Sequence, residues 1–202
     1  KQEQRDATTE VLEVASGVLR TQLPITLPGL GHVNCYLLED ERGIAVVDPG
    51  LPGDDSWTHL VDRLGRAGYA VTDVHTVIVT HSHPDHFGGA MRLRYESGAE
   101  VVTHESFRTL FDRVADDEDS EQLVLNSPDD RIEAMQRYFA APSPWGGRRS
   151  GPSPEFLERM RGAGGASGLI ATRPTVRLVD GETIKLARRE WVAMHTPGHT
   201  YD

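Results

Sequence analysis

The sequence has only one cysteine and a shortage of positive charge. Because Cys35 is the single cysteine, the chain can form neither an intrachain disulfide nor a zinc site built from several cysteines. We interpret Cys35 as a small core residue. Lysine and arginine together number 21 against 31 acidic residues, which gives a net charge of -10. Nucleic-acid binding depends on clustered basic side chains, so this balance disfavours a nucleic-acid partner.

Long apolar runs are absent as well. No run approaches the roughly 18 residues that a membrane span requires, and the first ten residues, KQEQRDATTE, contain no apolar signal region. Hydrophobic residues make up 38% of the chain and charged residues 26%, a composition typical of globular proteins. The length of 202 residues suits one substantial core. We therefore expect one cytoplasmic domain over residues 1–202, with no membrane contact.

Apolar spacing predicts alternating strands and helices. Short strand patterns fill the first part of the chain and end at Asp48-Pro49-Gly50. A helix is predicted to begin at Asp54, and another to run from Gly88 to Glu96. Between them, the run from Val74 to Thr80 is rich in β-branched residues, as in a strand buried on both faces. This alternation predicts an α/β domain.

The pattern changes between residues 104 and 174. Helical stretches there are separated by the acidic run DDEDSE and by a segment dense in proline, glycine and serine. We interpret residues 104–174 as a helical insertion within the domain, either a covering layer or a lid over substrate. Strand patterns return after Pro174 and lead to a tight turn that carries His199.

Three histidines and an aspartate occupy six consecutive positions, HSHPDH, directly after the predicted buried strand. With 9 histidines and 31 acidic residues in 202, chance produces this pattern in roughly three of a thousand such sequences. His81 and His83 lie two apart, so an extended turn can point both at one metal ion. Asp85 and His86 are adjacent, and they suit a second ion beside the first once the turn bends into the helix that begins near Gly88. His199 is expected to complete the first set, because its turn also leaves a strand end.

HSHPDH followed by two glycines, the upstream VVDPG and the downstream TPGHT together resemble the metallo-beta-lactamase superfamily. The resemblance implies a four-layer αββα sandwich of two sheets flanked by helices, with the metal site at the strand ends along one edge. Asp48, the aspartate of VVDPG, matches the family residue that supports the metal loop without binding the ion.

The resemblance also implies a role for each residue of the motif. His81, His83 and His199 match the ligands of the first metal ion. Asp85 and His86 match ligands of the second ion, and Asp85 is also the catalytic residue that contacts the attacking water. The two glycines after the motif are expected to let the following helix pack close to the site.

The sequence departs from the family pattern at its end. In the family, an aspartate that bridges both ions and a later histidine follow the TPGHT turn, whereas this chain stops at Asp202. Asp202 lies too close to His199 to act as the bridging residue. We therefore expect a fragment that lacks its last strands, or a domain that another segment completes. Only the first metal site can be completed from the residues present.

The function that the resemblance implies is that of a zinc-dependent hydrolase, dinuclear in the complete protein. A metal-bound hydroxide would attack an acyl-type bond in a small molecule: a thioester, ester, lactone or lactam. Iron and manganese are alternatives to zinc. A mononuclear iron dioxygenase of the persulfide dioxygenase type also stays open, because His81, His199 and the missing aspartate would form its ligand set. A phosphodiesterase or nuclease uses similar metal chemistry, but the acidic balance disfavours it.

The histidines outside these motifs are given simpler interpretations. His195 precedes the TPGHT turn and is expected to end a strand, with a structural or supporting role. His75 and His104 flank strands and are interpreted as incidental, and His59 as a surface helix residue. His32 is predicted to lie on a loop that can approach the site, which makes it a candidate for substrate contact.

Overall fold

The computed structural model describes residues 4–25, 30–109 and 172–200, together with seven isolated helical positions between 132 and 158. Contacts divide the chain into two compact units, Lys1–Phe107 with Thr172–Asp202, and Arg108–Ala171. Most of the predicted insertion at 104–174 lies outside the described residues. The strands and the candidate site belong to the first unit. No helix among the described residues is long and apolar enough to cross a membrane.

The described part of the first unit contains nine strands and three α-helices. In chain order they are β1 (Leu12–Ala15), β2 (Val18–Pro24), β3 (His32–Asp40), β4 (Gly43–Val47), α1 (Asp54–Arg66), β5 (Val74–Ile78), α2 (Pro84–Phe87), α3 (Ala90–Ser97), β6 (Glu100–His104), β7 (Val176–Leu178), β8 (Thr183–Leu186) and β9 (Arg189–Val192), with a short 3₁₀ helix at Val71–Asp73. Strands β1 to β7 form one sheet in sequence order, and β8 and β9 form a separate hairpin. Pairing is antiparallel from β1 to β4 and parallel from β4 to β7.

One face of the large sheet is covered by helices. Cys35 of β3 and Val46 of β4 belong to a buried cluster that includes Leu60 of α1 and Leu93 of α3. All four side chains are 0% exposed. Burial raises the pKa of the Cys35 thiol, which keeps it protonated and unreactive at neutral pH. The prediction that Cys35 is a small core residue is therefore confirmed.

The opposite face of the sheet is covered by the β8–β9 hairpin. Because successive side chains of a strand point to opposite faces, Leu38 and Ala45 leave the helical side and join a second buried cluster. Leu186 and Ala187 of the hairpin belong to the same cluster, and Trp191 packs against it. The large sheet is thus a middle layer, buried on both faces, with helices on one side and strands on the other.

Parallel pairing brings distant parts of the chain to one edge of the sheet. Strands β4 to β7 run in the same direction, so their carboxyl ends lie along a single edge. Asp48 follows β4, His81 lies just beyond β5, His104 ends β6 and Asp180 follows β7. The topology therefore places the HSHPDH motif beside residues that come long before and after it in the sequence.

The helix predicted from Gly88 to Glu96 corresponds to α3, and a separate helical turn precedes it. One helical turn, α2, begins at Pro84, because proline suits the first position of a helix, and α3 begins only at Ala90. Asp85 and His86 consequently lie in a helical turn that begins four residues before the predicted helix start at Gly88. The predicted start of α1 at Asp54 is confirmed.

The two glycines after the motif permit a close approach of backbone segments. A Cβ atom on Gly88 would overlap the ring and nitrogen of Pro52, and one on Gly89 would lie 2.6 Å from the carbonyl oxygen of Pro49. The backbone N–H of Gly89 also donates a hydrogen bond to the carbonyl of Gly50 at 3.1 Å. The predicted close packing of this helix start is confirmed, and it holds the loop after β4 against the loop after β5.

Gly88→Ala should lower the free energy of unfolding by about 1–3 kcal/mol, because the added methyl group must displace Pro52. Gly65→Ala is the matched control: a Cβ there meets no atom within 4 Å outside its own helix. Alanine is favoured over glycine within a helix by about 1 kcal/mol, so this control should be as stable as the parent or more so. Urea unfolding followed by circular dichroism measures both, and equal stabilities would contradict the packing argument.

Candidate metal centre

The loop after β5 and the segment after β9 bring three histidines together. His81 Nε2 lies 3.2 Å from His83 Nδ1, and the two ring centroids are 4.9 Å apart. The ring centroid of His199 lies 5.3 Å from that of His81 and 4.5 Å from that of His83. One candidate ligand atom from each residue lies within 4.8 Å of the other two. These are the three residues expected for the first metal ion.

Three converging imidazoles fit an ion such as zinc. Two nitrogens on one zinc ion lie at most roughly 4 Å apart, because each Zn–N bond measures about 2.0–2.1 Å. Side-chain movements of about an ångström would therefore close the observed 4.8 Å spread. Burial, reinforced by repulsion from His86 and His83, lowers the pKa of His81 to about 4. His81 is neutral at pH 7 and can offer a lone pair without first losing a proton.

Asp48 and Thr80 determine which nitrogen of His81 carries its proton. Thr80 donates its backbone N–H to Asp48 Oδ1 at 2.9 Å and its hydroxyl to Oδ2 at 2.8 Å. A carboxylate only accepts hydrogen bonds, so the single hydroxyl proton of Thr80 must be donated to Asp48. The Thr80 oxygen also lies 3.0 Å from His81 Nδ1 and must accept from that nitrogen. We assign the proton of His81 to Nδ1, which leaves the lone pair on Nε2, the atom next to His83.

Asp85 and His86 lie beside the three histidines but outside their group. The ring centroid of His86 is 3.9 Å from that of His81, and Asp85 Oδ2 lies 3.5 Å from His86 Nε2. His86 donates from Nδ1 to Asp48 Oδ2 at 2.8 Å. Burial pulls the pKa of His86 down, but the hydrogen bond and charge of Asp48, with the charge of Asp85, outweigh it and raise that pKa. Binding of a second ion by this pair stays a prediction.

Asp48 occupies a special position in the backbone as well as in the site. Its side chain is buried, and its φ of 56° lies in the left-handed region, which aspartate tolerates better than most residues. From there its carboxylate contacts His86 directly and reaches His81 through Thr80. Contact with the metal loop is what the sequence led us to expect of Asp48.

Sequence reasoning missed Thr80 and misjudged two histidines. Thr80 resembles one more β-branched strand residue, and the only signal for it was a hydroxyl directly before the first histidine of the motif. The expectation for His32 is wrong: it opens β3, is 4% exposed and contacts Gln22 Nε2 at 2.9 Å. His195 does not end a strand either, since β9 stops at Val192.

The fold is a mixed sheet that is covered by helices on one face and by a hairpin on the other. A histidine cluster lies at the ends of its parallel strands. These features define a class of α/β protein with a candidate metal site at the sheet edge. The model of the metallo-beta-lactamase superfamily matches residues 28–202, and the chain belongs to that superfamily.

Solved structures agree in fold. The chain is similar to a metallo-beta-lactamase family protein from Thermus thermophilus, with a TM-score of 0.62 and 26% identity, covering 93% of this chain and 54% of that one. A subclass B3 metallo-beta-lactamase of Bradyrhizobium japonicum gives a TM-score of 0.57 at 16% identity, covering 98% of this chain and 56% of that one. The predicted sandwich fold class is confirmed.

Curated relatives resemble shorter stretches of the chain. A hydroxyacylglutathione hydrolase of Albidiferax ferrireducens is 33% identical over 104 residues, which are 50% of this chain and 38% of the relative. A metal-dependent hydrolase of Desulforamulus reducens is 35% identical over 74 residues, 37% of this chain and 28% of the relative. The chain thus matches less than half the length of these relatives, and little more than half of the solved structures.

Thr80→Val should weaken zinc binding roughly tenfold, because valine keeps the shape of the side chain but cannot hold His81 Nδ1 or donate to Asp48. Thr58→Val is the matched control, since the Thr58 hydroxyl only donates to the carbonyl of Asp54 on the exposed side of α1. Competition with a fluorescent chelator measures both affinities. Unchanged affinity in Thr80→Val would show that the hydroxyl does not orient His81.

Proposed function

We propose that the protein is a metal-dependent hydrolase that cleaves an acyl-type bond in a small molecule. The observation that carries this proposal is the convergence of His81, His83 and His199 at the carboxyl edge of a sheet of this superfamily. The names of two relatives, a hydroxyacylglutathione hydrolase and a metal-dependent hydrolase, favour the same chemistry. Among acyl-type bonds, the first of these names favours a thioester as the first substrate to test.

Zinc is the ion that we propose for the three histidines, because neutral imidazole nitrogens are among its preferred ligands. When bound, zinc polarises a carbonyl group and lowers the pKa of water toward neutrality. The side chains around the site orient the three histidine ligands. Asp48 and Thr80 hold the proton of His81 on Nδ1, so that Nε2 points toward the other two histidines. The ligand set is therefore arranged before the ion arrives.

We assign Asp85 to hold and orient the attacking water. Its side chain is 11% exposed, so its carboxylate acts in surroundings with little competing solvent. A carboxylate can accept a hydrogen bond from water and then its proton as the acyl carbon is attacked. His86 lies next to Asp85, with Nε2 3.5 Å from Asp85 Oδ2. We propose that this pair contributes two ligands to a second ion in the complete protein, for which His86 Nε2 must be unprotonated.

Asp85→Asn should lower kcat for a hydroxyacylglutathione thioester at least roughly 100-fold, because asparagine fills the same space but cannot accept a proton. The three histidines are unchanged in this variant, so its zinc content in the first site and its circular dichroism spectrum should match the parent. Asp55→Asn, an exposed substitution on α1, is the matched control and should retain activity. Near-normal turnover by Asp85→Asn would overturn the assigned role.

Metal analysis of protein purified without added metal tests the proposal independently of substrate. We expect at least one zinc ion per chain, lost in the double variant His81→Ala/His83→Ala, and close to two ions where Asp85 and His86 bind a second. A single iron per chain, with oxygen consumed in the presence of a persulfide, would instead favour dioxygenase chemistry.

A further inference from the structure

A second pair of histidines lies at the end of the neighbouring strand β6. His104 ends β6, and its ring stacks on that of His195, with centroids 4.4 Å apart and an interplanar angle of 12°. Ser106 Oγ lies 2.6 Å from His104 Nδ1 and 3.4 Å from His195 Nε2. The pair therefore ties the large sheet to the segment that follows β9.

The protons in this cluster can be placed in order. The backbone N–H of Ser106 donates to His104 Nδ1 at 3.2 Å, so that nitrogen is an acceptor. The hydroxyl of Ser106 then donates to the same nitrogen, and its oxygen accepts from His195 Nε2. The resulting chain runs from His195 through Ser106 to His104. The short contact with His104 fixes the Ser106 hydroxyl, and the longer contact with His195 adds only a weak preference for one orientation of that ring.

The segment that leads to His199 is held at two points. Ala193 forms two backbone hydrogen bonds of 2.8 Å with the turn that precedes β8. His195 donates its backbone N–H to Asp180 Oδ1 at 2.8 Å and stacks on the ring from β6. Residues 196–199 are exposed. The position of His199 relative to the other two histidines therefore depends on where His195 is fixed, four residues earlier in the chain.

We propose that the stack of His104 and His195 positions His199, and that it thereby sets the metal affinity of the three-histidine group. His195 is a positioning residue in this proposal, because it acts through the segment that carries the ligand. The inference rests on the proposed function only in requiring a metal ion at the three histidines; it does not depend on which bond is cleaved.

Two substitutions of His195 separate the stack from the hydrogen bond. His195→Ala removes both and should weaken zinc binding roughly tenfold, the scale on which supporting residues of metal ligands act. His195→Phe keeps a flat ring against His104 and should stay within about threefold of the parent, because the 3.4 Å contact with Ser106 is at the outer limit of a hydrogen bond. His59→Ala on α1 is the control for loss of a histidine elsewhere.

A double-mutant cycle provides the decisive measurement. If His195 acts through His199, then His195→Ala should weaken zinc binding in the parent but have little further effect in a His199→Ala background. If His195 only stabilises the fold, the loss should be the same in both backgrounds, and the proposal would be overturned. Should His195→Ala fail to fold, His104→Asn replaces it, since asparagine keeps an acceptor for the Ser106 N–H but removes the stacked ring.

Zinc titration without substrate keeps this inference distinct from the proposed reaction. If no hydrolysis is detected but the double-mutant cycle gives the expected coupling, the proposed reaction is overturned and the positioning role is supported. Equal losses in both backgrounds would overturn the positioning role alone. A parent protein that binds no zinc would overturn both.

Discussion

The carboxylate of Asp48 is the contact on which the arrangement of the site depends. It accepts two hydrogen bonds from Thr80 and one from His86, so one buried side chain orients both ends of the motif loop. A buried carboxylate is stable only when it is hydrogen-bonded, and these donors meet that need. Because the loop after β4 is also packed against Gly88 and Gly89, the position of Asp48 is itself fixed. The histidines are therefore oriented by the protein before any ion binds.

The direction of the strands explains why residues so distant in sequence meet here. Polar loop residues after β4, β5, β6 and β7 lie along one edge only because these four strands are parallel. The covered faces of the sheet leave its edge as the place where polar side chains can gather without disturbing either apolar cluster. Reversing one strand would send its terminal residue to the opposite edge. Topology, more than local sequence, thus assembles the site.

Much of this could be predicted from the sequence, and the failures have physical causes. Strand β5 and the histidine cluster were predictable because burial on both faces and metal-ligand spacing leave local patterns. The turn α2 was missed because the spacing of His81 and His83 fits an extended turn, whereas Pro84 favours the first position of a helix. His32 and Thr80 were misjudged because their partners, Gln22 and Asp48, come from distant parts of the sequence, and one-dimensional spacing cannot show such contacts.

The two histidine clusters have different relationships to metal binding. The stack of His104 and His195 links the large sheet to the segment after β9 without an ion, through ring contact and Ser106. An ion held by His81, His83 and His199 would link the same two parts of the chain a second time. A ligand that binds only the folded state stabilises that state, so the metal would reinforce a connection that the stack has already formed. A segment fixed in this way loses less conformational entropy when His199 binds the ion, which favours metal affinity.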